Sequence, residues 1–478
     1  HYPFPMTFSR NIVYFIVATI PVLFAAVHAW IWSFYTVCIF AAFLILLWQN
    51  RINTAWMPNK IYIFVLGVFY LVCLVQCLPL PSFILSFLSP FRHEVLMQSR
   101  TIIDGSVGWQ SISYSSLRSL AWWTFLLSLL LFFLVFRKTV TAPRQLKLLM
   151  YILLGLASLE SLYGLMQALV PSLGVLWIDY IEAYLGDARG TYINRNHFAG
   201  FMEMIWPLGL GYTLALGNWK EKLSLKALLS MDRPNFQFFL AIGLAVMVLA
   251  LLFSKSRAGI TGWGLGFLTF VLLVHSGSNG IPRSFWVITA IIIGMVAFFS
   301  FRIGVDPILE RFLRISTDAS RLDYWRDTLV IVKDHPFGIG LATFRQVFPI
   351  YNVSTLADAT PYYAHNDYLQ LLVETGWIGF AALVGGFYIF LVKSFRKVRQ
   401  MRLQADPLGF FLAVGALSGL VSIAFHSFFD FNLQMPANCV YFVMLMGIVD
   451  VCLWQGREGR AEEQSATLMA DKKVSPPH

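Results

Sequence analysis

The chain has 478 residues, 58% of them hydrophobic and only 13% charged, with a mean hydropathy of +0.67. Soluble domains carry roughly 25% charged residues, so this composition leaves too little polar surface to cover a globule and excludes an ordinary soluble protein. The net charge of +10 falls in short clusters between apolar runs, as loop topology signals do, which argues against a basic face for nucleic acid.

His1-Tyr2-Pro3-Phe4-Pro5 precede Met6 and read as a segment foreign to the fold, and no cleavable signal peptide stands out. Crossing roughly 30 Å of hydrocarbon takes about 20 apolar residues. About twelve such runs predict spans over 11–30, 31–48, 61–78, 119–136, 146–170, 198–217, 237–254, 258–274, 285–303, 366–392, 408–428 and 437–455, with tight turns at 30/31 and 254–258. The fold class is therefore an all-α integral membrane protein. Residues 6–303 hold the first nine spans, 304–365 form a large loop, 366–455 hold the last three and 456–478 are a tail. The cysteines (Cys38, Cys73, Cys77, Cys439, Cys452) lie in or beside the apolar runs and read as buried thiols.

Lys and Arg alternate between connections. One side collects Arg51 and Lys60; Arg137, Lys138, Arg144 and Lys147; Lys220, Lys222, Lys226 and Arg233; Lys393, Arg396, Lys397, Arg399 and Arg402; and the tail with Arg457, Arg460, Lys472 and Lys473. The positive-inside rule makes that side, and both termini, cytoplasmic. The external side then carries three longer loops, 79–118, 171–197 and 304–365. In the last, Ile308, Leu309, Phe312 and Leu313 form a stripe at helical spacing. Ser320 and Asp323 resemble a capping box ahead of Leu322, Trp325, Leu329 and Val332, and Pro336, Gly338 and Gly340 stop that helix. Short amphipathic helices lying over the membrane face are expected there, either as a structured cover or as one wall of a site.

Polar residues gather at the external helix ends. Arg195 and His197 precede the sixth span, Arg257 stands in the turn before the eighth, Arg321 opens the loop helix, and His365 lies at the mouth of the tenth span among Tyr362, Tyr363, Asn366 and Tyr368. Arg257 departs from the positive-inside pattern. A snorkelling role at the headgroups explains one such arginine; a pair beside a histidine suits a diphosphate, whose oxygens accept the planar guanidinium fork. His365 either caps a helix start or acts as a general base, since imidazole titrates closest to neutrality. The tyrosines suit sugar stacking or a membrane belt equally. Glu160, Glu203 and Glu374 lie within spans, where packing or hydrogen bonding is expected of them. His426 and Asp430, spaced i,i+4, read as a structural His–Asp bond rather than a metal half-site. There is no Asp-x-Asp pair, P-loop or dinucleotide glycine pattern, so phosphate handling would rest on arginines, with no metal and no cofactor expected.

These segments resemble the O-antigen ligase and O-antigen polymerase superfamily of membrane glycosyltransferases. The likeness rests on Asn194-Arg195-Asn196-His197-Phe198-Ala199-Gly200, Ser256-Arg257-Ala258-Gly259 and Ser320-Arg321 followed by Trp325. It continues through His335-Pro336-Phe337-Gly338-Ile339-Gly340, His365-Asn366-Asp367-Tyr368-Leu369 with Glu374-Thr375-Gly376, and His426 with Asp430-Phe431. The first five spans match only in hydropathy. The resemblance implies a GT-C-like fold in the bacterial inner membrane with its site facing the periplasm. It implies a glycan donor on undecaprenyl diphosphate and arginines at the positions of Arg195, Arg257 and Arg321 that bind the diphosphate. It further implies a histidine at the position of His365 that activates an acceptor hydroxyl, by metal-independent, inverting transfer. His197, Tyr363, Asn366, His426 and Asp430 would support that site. O-antigen ligation to lipid A–core comes first, with a growing glycan or a protein hydroxyl as alternative acceptors. The rival from another class is a polytopic transporter of lipid-linked glycans without chemistry; gathering of the polar groups at one face rather than at the midplane favours chemistry.

Overall fold

A backbone in hydrocarbon must satisfy its own hydrogen bonds, which leaves helices as the economical solution for a chain this apolar. The computed structural model describes residues 4–49, 60–103, 108–176, 184–217, 236–277, 283–304, 319–352, 361–401 and 403–455. Among these residues the chain forms sixteen α-helices. In order they are α1 (Phe4–Thr19), α2 (Ala29–Gln49), α3 (Lys60–Cys77), α4 (Ser82–Leu88), α5 (Pro90–Ile103), α6 (Ser116–Thr139), α7 (Pro143–Leu169) and α8 (Arg195–Ala215). They continue with α9 (Phe236–Phe253), α10 (Arg257–Gly277), α11 (Arg283–Ile303), α12 (Ala319–Asp334), α13 (Phe344–Tyr351), α14 (Asp367–Val398), α15 (Pro407–His426) and α16 (Pro436–Asp450).

Among the described residues, ten helices are long and apolar enough to cross a membrane. With α1 and α8, each of the twelve expected spans coincides with a helix. The first two are shifted: α1 ends at Thr19, a short turn covers residues 20–28, and α2 begins at Ala29, so the break does not fall at 30/31. Apolar sequence runs unbroken through that region, and the local breaker is Pro21, which disfavours helix in the residue before it. The apolar stripe of Ile308, Leu309, Phe312 and Leu313 and several of the cationic connections lie outside the described residues.

α8 is the axle of the bundle, buried at every position from His197 to Leu214. Small residues let its neighbours approach to backbone contact, the usual means of holding helices together without a hydrophobic drive between them. On α15, a Cβ at Gly419 would lie 2.5 Å from the Met204 carbonyl oxygen, and one at Gly415 2.6 Å from that of Pro207. On α10, a Cβ at Gly259 would lie 2.6 Å from the Ala199 Cβ, and one at Gly262 2.6 Å from Glu203 Oε2. Any larger residue there would push α8 away and displace the acid it carries.

The described residues of the loop expected on the external side before α14 fold into a second layer. Ile331 and Val332 of α12, Ile339, and Phe344, Val347 and Phe348 of α13 form a separate apolar core with Ala364, Leu372 and Val373 of the α14 end. α12 stops at Asp334, as Pro336 and the following glycines require. The loop 336–340 then pairs with an opened turn of α14: Ile339 N–H donates to Val373 O at 3.0 Å, Gly340 N–H to Glu374 O at 3.0 Å and Trp377 N–H to Pro336 O at 3.1 Å. Gly376 makes the opening possible, with φ +68° inside the helix. α14 thus begins at the polar end of the bundle and finishes, 32 residues later, at Arg396 and Lys397. Arg137 and Asp450, paired at 3.1 Å between the ends of α6 and α16, lie at that same basic end.

Candidate functional site

Two helix starts define the site, and both are built the same way. The Asn194 side chain accepts from Asn196 N–H at 2.8 Å and caps α8, while the Asn366 side chain accepts from Leu369 N–H at 3.0 Å and caps α14. Asn366 therefore has a capping role that fixes where His365 stands. The residues beside each cap converge on Asp430, in the connection between α15 and α16.

Asp430 is only 1% exposed. Its Oδ1 lies 3.6 Å from His365 Nδ1 and 4.0 Å from His197 Nε2, and accepts the Phe431 N–H at 2.9 Å. Its Oδ2 accepts the Asn196 amide and lies 4.0 Å from Arg321 Nη2. Burial alone would raise the Asp430 pKa; the facing His365, with His197 and His426, more than offsets it and holds the carboxyl well below the usual carboxylate range. At 3.6 Å the His365 contact is electrostatic, long for a hydrogen bond. The Phe431 ring fills the space between, edge-on to His197 at 4.6 Å and His365 at 4.8 Å and stacked with Tyr363 at 4.5 Å. Tyr363 thus packs the site wall, and burial pushes its phenol up to about 12. His365 itself has a left-handed backbone, φ +50°, and a side chain 28% exposed, so one ring edge meets Asp430 while the residue still reaches the surface.

The arginines stand around this centre. Arg321 donates to the Phe429 carbonyl at 2.8 Å, which sets α12 against the α15–α16 connection. The start of α12 therefore stands beside Asp430. Arg195 points the other way, ion-paired to Asp187, with its guanidinium 5.6 Å from the Tyr184 ring. Lys255 shares that carboxylate at 2.9 Å and also donates to Gly186 O. Tyr184 joins the two halves: Asp430, Arg195, Asp187 and Arg321 all act on its phenol, and burial, the largest influence, pushes it upward. Arg257 opens α10 two residues before Gly259, whose ideal Cβ would be 3.3 Å from His426 Cε1. The structure thus brings the starts of α8, α10, α12 and α14 to one end of the bundle.

One pairing read from sequence is corrected. His426 does not bond to Asp430; its Nδ1 meets Glu203 Oε1 at 2.9 Å, both side chains wholly buried. α15 ends at His426, so the i,i+4 geometry that would align it with Asp430 no longer applies. The other intramembrane acids are hydrogen-bonded as expected: Glu160 accepts Thr191 N–H and Oγ–H, each at 2.8 Å, and Glu374 accepts the Gln370 amide at 2.6 Å.

Arg189 escaped the sequence reading. It is 1% exposed, and its Nε and Nη1 have no hydrogen-bond partner among the described residues, as is also true of Arg195 Nε. A permanently charged group buried with open donors is costly and suits an anion. The available signal was the close spacing of Asp187, Arg189 and Arg195 in a chain so poor in charge.

The fold and the site together define a multi-pass helical membrane protein whose polar chemistry is confined to one end of the bundle. Residues 242–384 match the family model described as O-antigen ligase, which supports the O-antigen ligase superfamily, a membrane glycosyltransferase family, for this chain. The matched segment carries Arg257, Arg321, His365 and Glu374; Arg195, His197, His426 and Asp430 lie outside it. No curated protein matches the chain.

Proposed function

We propose that the protein transfers a glycan from undecaprenyl diphosphate to an acceptor hydroxyl at the periplasmic face of the bacterial inner membrane. Ligation of O-antigen to lipid A–core is the reading we favour. The observation that carries it is His365 facing the ionised Asp430 across 3.6 Å, with Arg321 on the same carboxylate. Asp430 orients an Nδ1–H imidazole and leaves Nε2 with its lone pair for a substrate proton.

The step balances without a metal. The acceptor oxygen attacks the anomeric carbon from the face opposite the diphosphate, His365 takes the hydroxyl proton, and the bond from that carbon to the diphosphate oxygen breaks with inversion. The charge that gathers on the departing diphosphate is met by Arg195, Arg257 and Arg321, together with Arg189. Diphosphate is a good leaving group, so a base and cationic stabilisation suffice and no protonating acid is required.

Purified protein incubated with an undecaprenyl-diphosphate glycan tests this reading, with mass analysis of the acceptor. The expected outcome is glycosylated lipid A–core with release of undecaprenyl diphosphate. Elongated donor glycan would make the protein a polymerase, and a glycosylated protein hydroxyl an oligosaccharyltransferase. Donor movement across vesicles without glycan transfer would leave only transport.

A further inference from the structure

His365 is held in a left-handed backbone conformation that residues other than glycine seldom adopt. Such a conformation persists where its surroundings over-determine it, and here Ala364, the residue before His365, is held through both its N–H and its carbonyl. The Ala364 N–H donates to Gln370 Oε1 at 2.8 Å, and the Ala364 carbonyl accepts the Trp325 indole N–H at 3.0 Å. On the far side of His365, Asp367 N–H donates to the Ser427 carbonyl at 2.8 Å. Ala364 is fully buried and Gln370 nearly so, hence water cannot substitute for these partners.

The Gln370 amide has a carbonyl end and an NH2 end of nearly the same shape. Turned round, it would present N–H to N–H at Ala364 and release the grip. Glu374 prevents this, because its Oε1 accepts from Gln370 Nε2 at 2.6 Å and a carboxylate oxygen can only face the NH2 end. The backbone N–H groups of Ala342 and Phe344 also face the Glu374 carboxyl. An acid at this depth is expensive and calls for a task.

We infer that Gln370 and Glu374 are positioning residues for His365: Glu374 locks the Gln370 amide, and the amide locks the 363–364 peptide that leads into His365, so that the imidazole faces Asp430. The inference rests on the base reading above. Neither residue touches substrate. Both act through the chain, and their loss lowers the rate without weakening the donor.

The test is steady-state kinetics with the undecaprenyl-diphosphate glycan on the full-length protein. Gln370→Met, which removes both hydrogen bonds at similar volume, is expected to lower kcat by about 10–100-fold with donor KM unchanged, the usual worth of an outer-shell partner. Glu374→Met leaves Gln370 present but free to turn and is expected to lower kcat by about tenfold. The exchange Gln370→Glu with Glu374→Gln restores both hydrogen bonds, the Ala364 N–H still donating to position 370 and only the 370–374 bond reversed in direction, and recovers kcat to near the wild-type value. In a His365→Ala background Gln370→Met should cost nothing further, because the group it positions is gone. Wild-type kcat in folded Gln370→Met would overturn the inference, as would an exchanged pair as slow as Gln370→Met. A loss of the same factor in the His365→Ala background would overturn it too, since that is what general loosening of the fold gives. Near-normal turnover in His365→Gln refutes the base itself, whereas an inactive His365→Gln beside a fully active Gln370→Met overturns only the brace.

Discussion

On the α8 side of the site, charge is met with charge. Asp187 holds Arg195 and Lys255 together, Arg189 is buried with open donors, and Tyr184 lies in the field of Arg195 and Asp187. On the α14 side, position is set by the backbone. His365 sits between a gripped peptide and a helix cap, with an aromatic ring filling the space against Asp430. The first arrangement suits a ligand that brings its own charge and can re-pair several cations at once. The second suits a single atom that must be in one place. Under the proposed function, binding and chemistry fall to different construction methods, and each can be attacked separately.

The histidine side should show the largest effects, and in kcat. His365→Ala is expected to lower turnover by about 10²–10⁴-fold, the range for a positioned proton transfer, with donor binding little changed. His365→Gln keeps size and some hydrogen bonding and should be nearly as slow. Asp430→Asn keeps shape and the contact to Phe431 N–H but removes the charge that orients the imidazole, and is expected to cost about 10–100-fold. Purified His365→Gln with near-normal turnover would reduce the histidine to a helix-start residue and erase the contrast.

The arginine side should fail through the donor. Arg257→Lys keeps the charge but not the bidentate fork, and kcat/KM should fall by about 10²-fold, the worth of one positioned donor. Arg195→Ala should raise donor KM by about tenfold, a smaller effect because Lys255 remains on Asp187 and neighbouring cations remain for the diphosphate. Melting temperatures of both variants should stay near wild type. If both turn over normally, these arginines belong to the headgroup region and the donor is held elsewhere.

The helices were legible because run length in a membrane protein is a direct physical requirement, and the two helix starts because Arg195 and His365 are costly residues at helix mouths. The failures share a cause. The i,i+4 reading of His426 and Asp430 assumed a helix continuing to Asp430, whereas α15 ends at His426 and the true partner, Glu203, is on another helix 223 positions away. Glu374 lies nine residues beyond His365, too far round a helix to reach it, yet it acts through Gln370 on a peptide that precedes the helix. Local periodicity describes neighbours within one element; contacts made where helices end depend on how loops return, and no short-range rule carries that.

The smallest effect lies in the external layer, on stability rather than rate. His335 packs beneath α13 with its ring nitrogens near Ser89 Oγ at 3.3 Å and Tyr351 OH at 3.2 Å. Burial, reinforced by Arg92 and only partly opposed by Asp334, pushes its pKa down to about 4. An unfolded histidine titrates near 6.5. As pH falls from about 6.5 toward 4, the unfolded chain therefore takes up a proton that the folded chain refuses, and stability declines across that window while being fully present above it. Asp430, held below the usual carboxylate range, adds little slope there, because its contribution is lost only at still lower pH. His335→Gln keeps hydrogen-bonding capacity toward Ser89 and Tyr351 without the titration. Thermal melts at pH 7 and pH 5 should show a fall in melting temperature for the wild type that is a few degrees larger than for His335→Gln, with turnover at pH 7 preserved in the variant. Equal falls in the two proteins would mean that protonation of His335 is accommodated by the loop layer, and that this layer is held less rigidly than the helix starts it covers.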